Sequence, residues 1–143
     1  MTEPTDLAYW QALNNPVVDE FRANEGKVNG FNGADVLLLT TTGAKSGQPR
    51  LTPLAYFMID GKLIIVGSKG GFDRHPDWVH NLRANTHAHV EVGTTNYDVV
   101  VRELPAVERD ETYPKVVALQ PGFGDYQAKT SRVIPLFELT RVE

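Results

Sequence analysis

Three cations stand beside glycines in the first half of the chain: Lys45 and Arg50 lie in and after the polar stretch Thr42-Gly-Ala-Lys-Ser-Gly-Gln-Pro49, and Lys69 precedes Gly70-Gly71. Ammonium and guanidinium groups that converge can hold a phosphate or carboxylate, and the backbone amides of Gly43, Gly47, Gly70 and Gly71 would add donors. Solvated lysines and turn glycines look the same in any β protein, so the pattern leaves both readings open. The stretch is no nucleoside-triphosphate loop, because Ala44 rather than glycine precedes Lys45. All four histidines fall between positions 75 and 89. His75 and His80 miss the helical spacing that lets two imidazoles share an ion, while His87 and His89 point to one face of an expected strand. Without cysteine or a carboxylate at ligand spacing, no metal is expected. Val66-Gly-Ser-Lys-Gly70 only partly fits a nucleophile elbow, so hydrolysis is not supported. Trp78, Asn81, Phe123 and Tyr126 could wall a flat aromatic ligand, although aromatics are as readily core.

Strands and turns must position these groups. Asp35 to Thr41 reads as a short buried strand. Arg50 to Ile59 and Lys62 to Ser68 form a hairpin about Asp60-Gly61, a dipeptide suited to two central residues at positive φ. Pairing across that turn sets Leu54 roughly opposite Val66 to Ser68, which brings Lys45, Arg50 and Lys69 toward one end of the sheet. Pro76 opens a short helix to about Ala84, with Asn85 as its C-cap. Val90 to Val92 and Tyr97 to Val101 make a second hairpin around Gly93-Thr-Thr-Asn96. Val107 to Leu119 is helical but disturbed at Pro114, and Val133 to Val142 is a last strand. At the start, Trp10, Leu13, Val17 and Phe21 recur at helical spacing. Asn15-Pro16 reads as an N-cap and first-turn proline, and Gly26 as a stop, so one broken or two short helices are expected. Six strands with flanking helices imply a mainly β (α+β) closed antiparallel barrel, which leaves no exposed edge.

The 143 residues, 41% hydrophobic and 22% charged, suit one domain over 1–143 with a helical segment at 1–25. A net charge of −4 speaks against general nucleic-acid binding. No apolar run approaches the roughly 20 residues of a membrane span. Met1-Thr-Glu-Pro-Thr-Asp6 lacks a signal's basic and apolar regions, so a cytoplasmic protein is expected. The amphipathic start either caps the barrel or touches a membrane, and Asp6, Asp19 and Glu20 weigh against anionic lipid.

Several separated blocks then agree: Leu39-Thr-Thr-Thr-Gly-Ala-Lys-Ser-Gly-Gln-Pro-Arg50, Thr52-Pro-Leu54, Val66-Gly-Ser-Lys-Gly-Gly71, His75-Pro-Asp-Trp78 and Asn81-Leu-Arg-Ala-Asn85. In order and spacing they resemble the deazaflavin-dependent nitroreductase and quinone reductase family over about residues 16 to 140. The resemblance implies a six-stranded split β-barrel of the flavin-reductase kind that binds coenzyme F-420, a 5-deazaflavin with a phospholactyl and oligoglutamate tail. It places the tail at Lys45, Ser46, Arg50 and Lys69, and the ring beside Thr52, Pro53, Leu54, Ser68, Trp78 and Asn81. It implies hydride transfer to flat electron-poor acceptors such as quinones, nitroaromatics and the unsaturated lactones of coumarins and aflatoxins. Ser68 and Tyr126 are the candidates to polarise the acceptor or protonate the product.

Departures from the family pattern bear on the acceptor. Ala44 stands where an arginine is common, and Ala55, Gln120 and Phe123 stand where nitroreductase-like members carry tyrosine. Ala44 should loosen the hold on the tail, whereas Ala55, Gln120 and Phe123 with Tyr126 line the expected substrate pocket, which should be wide and short of hydroxyls, favouring a quinone or lactone reductase. Competing readings are an FMN- or haem-binding barrel, the latter with His75 or His80 as axial ligand, and a non-catalytic cofactor-binding module. Split barrels occur as monomers and homodimers, and either is expected here.

Overall fold

The computed structural model describes residues 7–28, 34–71 and 74–142. Its strands are β1 (Val36–Thr42), β2 (Pro49–Ile59), β3 (Lys62–Val66), β4 (His87–Val92), β5 (Thr95–Glu103) and β6 (Leu136–Arg141). Every pairing is antiparallel, and the order β1-β2-β3-β6-β5-β4 closes through β1 against β4, so no ladder is left open. The β2–β3 hairpin turns as its sequence dictates, with φ of +52° at Asp60 and +79° at Gly61. Its register pairs Tyr56 with Ile65, which sends Leu54 toward the residues just beyond β3.

Side-chain alternation divides the apolar residues between three cores. Leu37, Leu39, Ile65, Val90, Val99, Val101, Phe137 and Leu139 fill the barrel, and helix α2 (Asp77–Ala84) adds Trp78, Val79 and Leu82. On the outer face Phe57, Ile59, Ile64, Val66 and Leu136 meet Tyr113 and Val116 of helix α3 (Ala106–Leu119). Val36 and Leu38, the outward neighbours of Leu37 and Leu39, are covered by Val18 and Phe21 of helix α1 (Leu7–Ala23). Burying Phe21 alone is worth roughly 1.5–3 kcal/mol.

Four sequence expectations change. Pro16 lies inside one helix rather than dividing two, because burial of Val18 and Phe21 outweighs the single hydrogen bond that proline removes. The deep residue is Val18 and not Val17, and the side chains of Trp10 and Leu13 lie outside the described residues. The second hairpin turns on Gly93-Thr94 alone, with Gly93 at φ +59°. It runs back to His87, whose neighbours Ala88 and His89 are half-buried in pairs with Val99 and Asp98. Finally, the glycine-rich stretch after Pro121 is a short helix, α4 (Gly122–Ala128). Among the described residues no helix is long and apolar enough to cross a membrane.

Candidate functional site

The loop between β1 and β2 owes its shape to small residues. Gly43 donates to the carbonyl of Gln48 at 2.8 Å and accepts from Gly47 at 2.9 Å, while Gly47 takes φ +70°. A Cβ on Gly43 would stand 2.5 Å from the Ser46 hydroxyl. That hydroxyl accepts from Arg50 Nη2 at 3.1 Å and from the Gln48 amide at 3.2 Å, so Ser46 braces Arg50. Asn81 of α2 ties the loop down. Its Oδ1 accepts from the Ala44 amide at 2.9 Å and its Nδ2 donates to Thr41 Oγ1 at 3.0 Å. Asn81 and Thr41 are both buried, so these are bonds whose loss leaves polar groups unsatisfied.

Across from this loop, β3 gives way to Gly67, where a Cβ would meet Pro135 and Val79 at 2.9 Å. Lys69 opens the 3-10 turn Lys69–Gly71 at φ +45°. A non-glycine residue in that region is uncommon and strained, and such residues cluster at ligand sites. Gly71, at φ +83°, lies so close to α4 that a Cβ would stand 2.7 Å from the Tyr126 carbonyl. The carbonyl of Ser68 accepts from the Gly71 amide at 2.9 Å and from Arg132 Nη2 at 2.6 Å.

Helix α4 supplies an aromatic wall. Phe123 packs edge-on against both Phe57 and Tyr126, with ring centres 5.6 and 5.4 Å apart. The Tyr113 hydroxyl donates to the Phe123 carbonyl at 2.8 Å and fixes the start of the helix. Burial pushes the Tyr113 phenol up to about 12, against the nearby guanidinium groups of Arg109 and Arg132, so it stays a neutral donor.

These parts enclose a cleft of about 890 Å³. Lys45, Ser46, Arg50 and Lys69 line it together, and so do Thr52, Pro53, Leu54, Ala55, Ser68, Trp78, Asn81, Phe123 and Tyr126. The convergence expected from the β2–β3 register is therefore present. Trp78 is nearly all core, 4% exposed and edge-on to Phe137, so it offers the cleft little of its ring. Gly71 and Gln120 are not in the lining: Gly71 faces the α4 backbone, and Gln120 terminates α3 through its amide to the Val116 carbonyl. The surroundings of Gly70 lie outside the described residues.

Sequence reasoning missed Arg74 and Asp77, which also line the cleft, and Arg132, which holds its floor from behind. His80, considered only as an axial ligand, lines the cleft as well. His75 lies outside the lining, and its Nδ1 is 2.9 Å from Arg132 Nη1. Arg132, a permanent donor, makes that nitrogen the acceptor, which does not suit an axial ligand. Burial first, then Arg132, Arg83 and His80, hold its imidazole below the ordinary range. Among the described residues no cluster of three or more His, Cys, Asp or Glu could hold a metal ion.

The model of the F420H(2)-dependent quinone reductase family matches residues 14–141. The chain belongs to that family. It is an oxidoreductase, and the family's coenzyme is F-420. An F420H(2)-dependent quinone reductase of Mycobacterium tuberculosis strain H37Rv is 40% identical over 110 residues, which cover 73% of this chain and 72% of that protein. The solved F420-H2 dependent reductase FDR-A is also 40% identical and covers 73% of this chain and 93% of its own, with a TM-score of 0.65. A third relative, a solved domain-swapped dimer, is 36% identical with a TM-score of 0.67 and covers 88% of this chain and 96% of its own. The barrel is thus the split β-barrel of flavin-type reductases. The cleft suits the family's coenzyme: three cations in its lining fit an anionic tail, and Pro53, Leu54 and Phe123 fit a flat ring. The amides of Gly43, Gly47 and Gly71, expected to add donors, are instead bonded to the carbonyls of Gln48, Gly43 and Ser68.

Proposed function

We propose that this cleft binds coenzyme F-420 and that the enzyme reduces quinones and related flat, electron-poor acceptors there. The observation that carries the reading is the shared lining of Lys45, Arg50 and Lys69 beside an apolar slot. One phosphate needs fewer cations, whereas a tail bearing a phosphate and several carboxylates rewards all three. Lys45, Arg50 and Lys69 would hold that tail, with Ser46 keeping Arg50 in place. Thr52, Pro53 and Leu54 of β2, with Ser68 and the edge of Trp78, would flank the ring and exclude water. When bound, a reduced deazaflavin supplies a hydride. Quinone reduction needs one proton besides that hydride; that Ser68 and Tyr126 both line the cleft supports their hydroxyls as the groups that donate it or polarise the carbonyl.

Ala55 and Phe123 leave the acceptor side short of hydroxyls. That supports quinones and unsaturated lactones such as coumarins and aflatoxins ahead of bulky nitroaromatics. The likeness to a domain-swapped dimer supports a homodimer, which light scattering of the purified protein would test. For the main reading, the protein is titrated with F-420, FMN and haem. F-420H2 absorbance is then followed as menadione, a coumarin or a nitroaromatic is added. Tight F-420 binding with menadione-dependent oxidation is expected; binding without oxidation would reduce the protein to a carrier, and no F-420 binding would end the proposal.

A further inference from the structure

We propose that Arg132 is a positioning residue of this site: its guanidinium grips the carbonyls of Gly67 and Ser68 and so sets where the Ser68 hydroxyl and the Lys69 ammonium stand in the cleft. The inference rests on the function proposed above.

Arg132 Nη1 donates to the Gly67 carbonyl at 3.0 Å, and Nη2 donates to the Ser68 carbonyl at 2.6 Å. Nη1 also faces His75 Nδ1 at 2.9 Å. One planar fork thereby joins the end of β3 to the segment leading into α2. A guanidinium presents two parallel donors to two adjacent carbonyls, which the single ammonium of a lysine cannot do. Lys69 is held at φ +45°, a conformation that persists only when its surroundings over-determine it. The pinned Ser68 carbonyl immediately before it, which also takes the Gly71 amide, is such a constraint.

The arm behind the fork is itself fixed. The Arg132 carbonyl accepts from Gln127 Nε2 at 2.8 Å. Gln127 Oε1 accepts from the Ile134 amide at 3.0 Å and from Arg109 Nη2 at 2.6 Å, and Arg109 Nε donates to the Ile134 carbonyl at 2.9 Å. This lattice links α3, α4 and the approach to β6, and its free end is the fork on the Ser68 loop. Arg132 is outside the cleft lining, so it acts through Ser68 and Lys69 rather than on the ligands.

The test compares wild type with Arg132→Met, Arg132→Lys, Ser68→Ala and the Ser68→Ala/Arg132→Lys pair, each confirmed folded by a cooperative thermal melt. Misplacing a reacting group by about 1 Å can reduce turnover roughly 100-fold, so Arg132→Met should lower kcat by about 10- to 100-fold and Arg132→Lys by less. Equilibrium dialysis against oxidised F-420 should show affinity weakened by only about 3- to 10-fold. In the coenzyme-free protein, amide hydrogen exchange of residues 66–71 should quicken in both arginine variants while the strands keep their protection. In the Ser68→Ala background, Arg132→Lys should lower kcat by less than about twofold, because the group it positions is already gone.

If Arg132→Met fails to fold, the lysine variant carries the same comparisons. A folded Arg132→Lys protein with wild-type kcat and wild-type exchange at 66–71 would overturn the inference, as would a full multiplicative loss in the double variant. Wild type that binds no F-420 would instead overturn the proposed function, and the exchange measurement would still read the arginine's hold on the loop.

Discussion

Replacing Asn81 with leucine, a side chain of similar size, would remove the clamp between α2 and the basic loop. Two hydrogen bonds would go, to the Ala44 amide at 2.9 Å and to Thr41 Oγ1 at 3.0 Å. Thr41 is 3% exposed and Asn81 6%, so water could not readily replace the lost partner of the hydroxyl. With about 1 kcal/mol for each bond and about 1 more for the stranded hydroxyl, the loss should be about 3 kcal/mol. At about 3 °C of Tm per kcal/mol for a chain this size, the midpoint should fall by roughly 9 °C. The loop carrying Lys45 would also lose its tether, and F-420 affinity should drop about tenfold, equivalent to 1.4 kcal/mol. Thr41→Val separates the two effects: it breaks the inner bond and leaves the Ala44 bond in place. That variant should lose about 2 kcal/mol, for the bond and for the Asn81 amide left without its acceptor, and bind F-420 nearly as wild type does. Thermal melts and equilibrium dialysis on the three proteins decide it. Wild-type stability and affinity in Asn81→Leu would refute the clamp, and equal weakening of coenzyme binding in Thr41→Val would refute its assignment to the loop.

Lys69→Ala keeps a Cβ at φ +45°, so stability should hold within about 0.5 kcal/mol while F-420 binding weakens about tenfold, read by denaturant melts and dialysis. Gly71→Ala would place a methyl 2.7 Å from the Tyr126 carbonyl at a φ of +83°. It should destabilise by about 2 kcal/mol or more, visible as a lower urea midpoint. His75 is held below its ordinary value by burial and by Arg132, Arg83 and His80, with Glu103 acting oppositely. Such a group takes up its proton more readily when unfolded, so its stabilising contribution is present above the ordinary value of 6.5 and is lost as pH falls below it toward the lowered one. His75→Gln should therefore flatten the decline of urea stability just below pH 6.5; an unchanged slope would contradict the assignment.

The barrel was legible because its hairpins announce themselves locally. Asp60-Gly61 fixes one turn by φ alone, and alternation in β1 divides Leu37 from Leu38 between two cores. The basic cluster followed from that register, since Lys45, Arg50 and Lys69 flank strands whose pairing was already set. Helix α4 was not legible, because two glycines in seven residues weaken its propensity and its support comes from Arg109 and Tyr113 of α3, outside the segment itself. Pro16 misled for the converse reason: Phe21 anchors its helix by tertiary burial that no local rule reports. Arg132 left no signal at all. Its targets are backbone carbonyls of Gly67 and Ser68, some sixty residues upstream, and any sequence offers those.

The central claim is that the cationic end of the cleft holds the anionic tail of the coenzyme. The most direct measurement is the dissociation constant of the wild-type protein for F-420 and for the same deazaflavin lacking its tail, each at low salt and at about 0.5 M salt. F-420 should bind more tightly by at least tenfold at low salt and lose most of that advantage at high salt, while the tail-less ring changes little. Equal affinities at low salt, or an F-420 affinity indifferent to salt, would contradict the account.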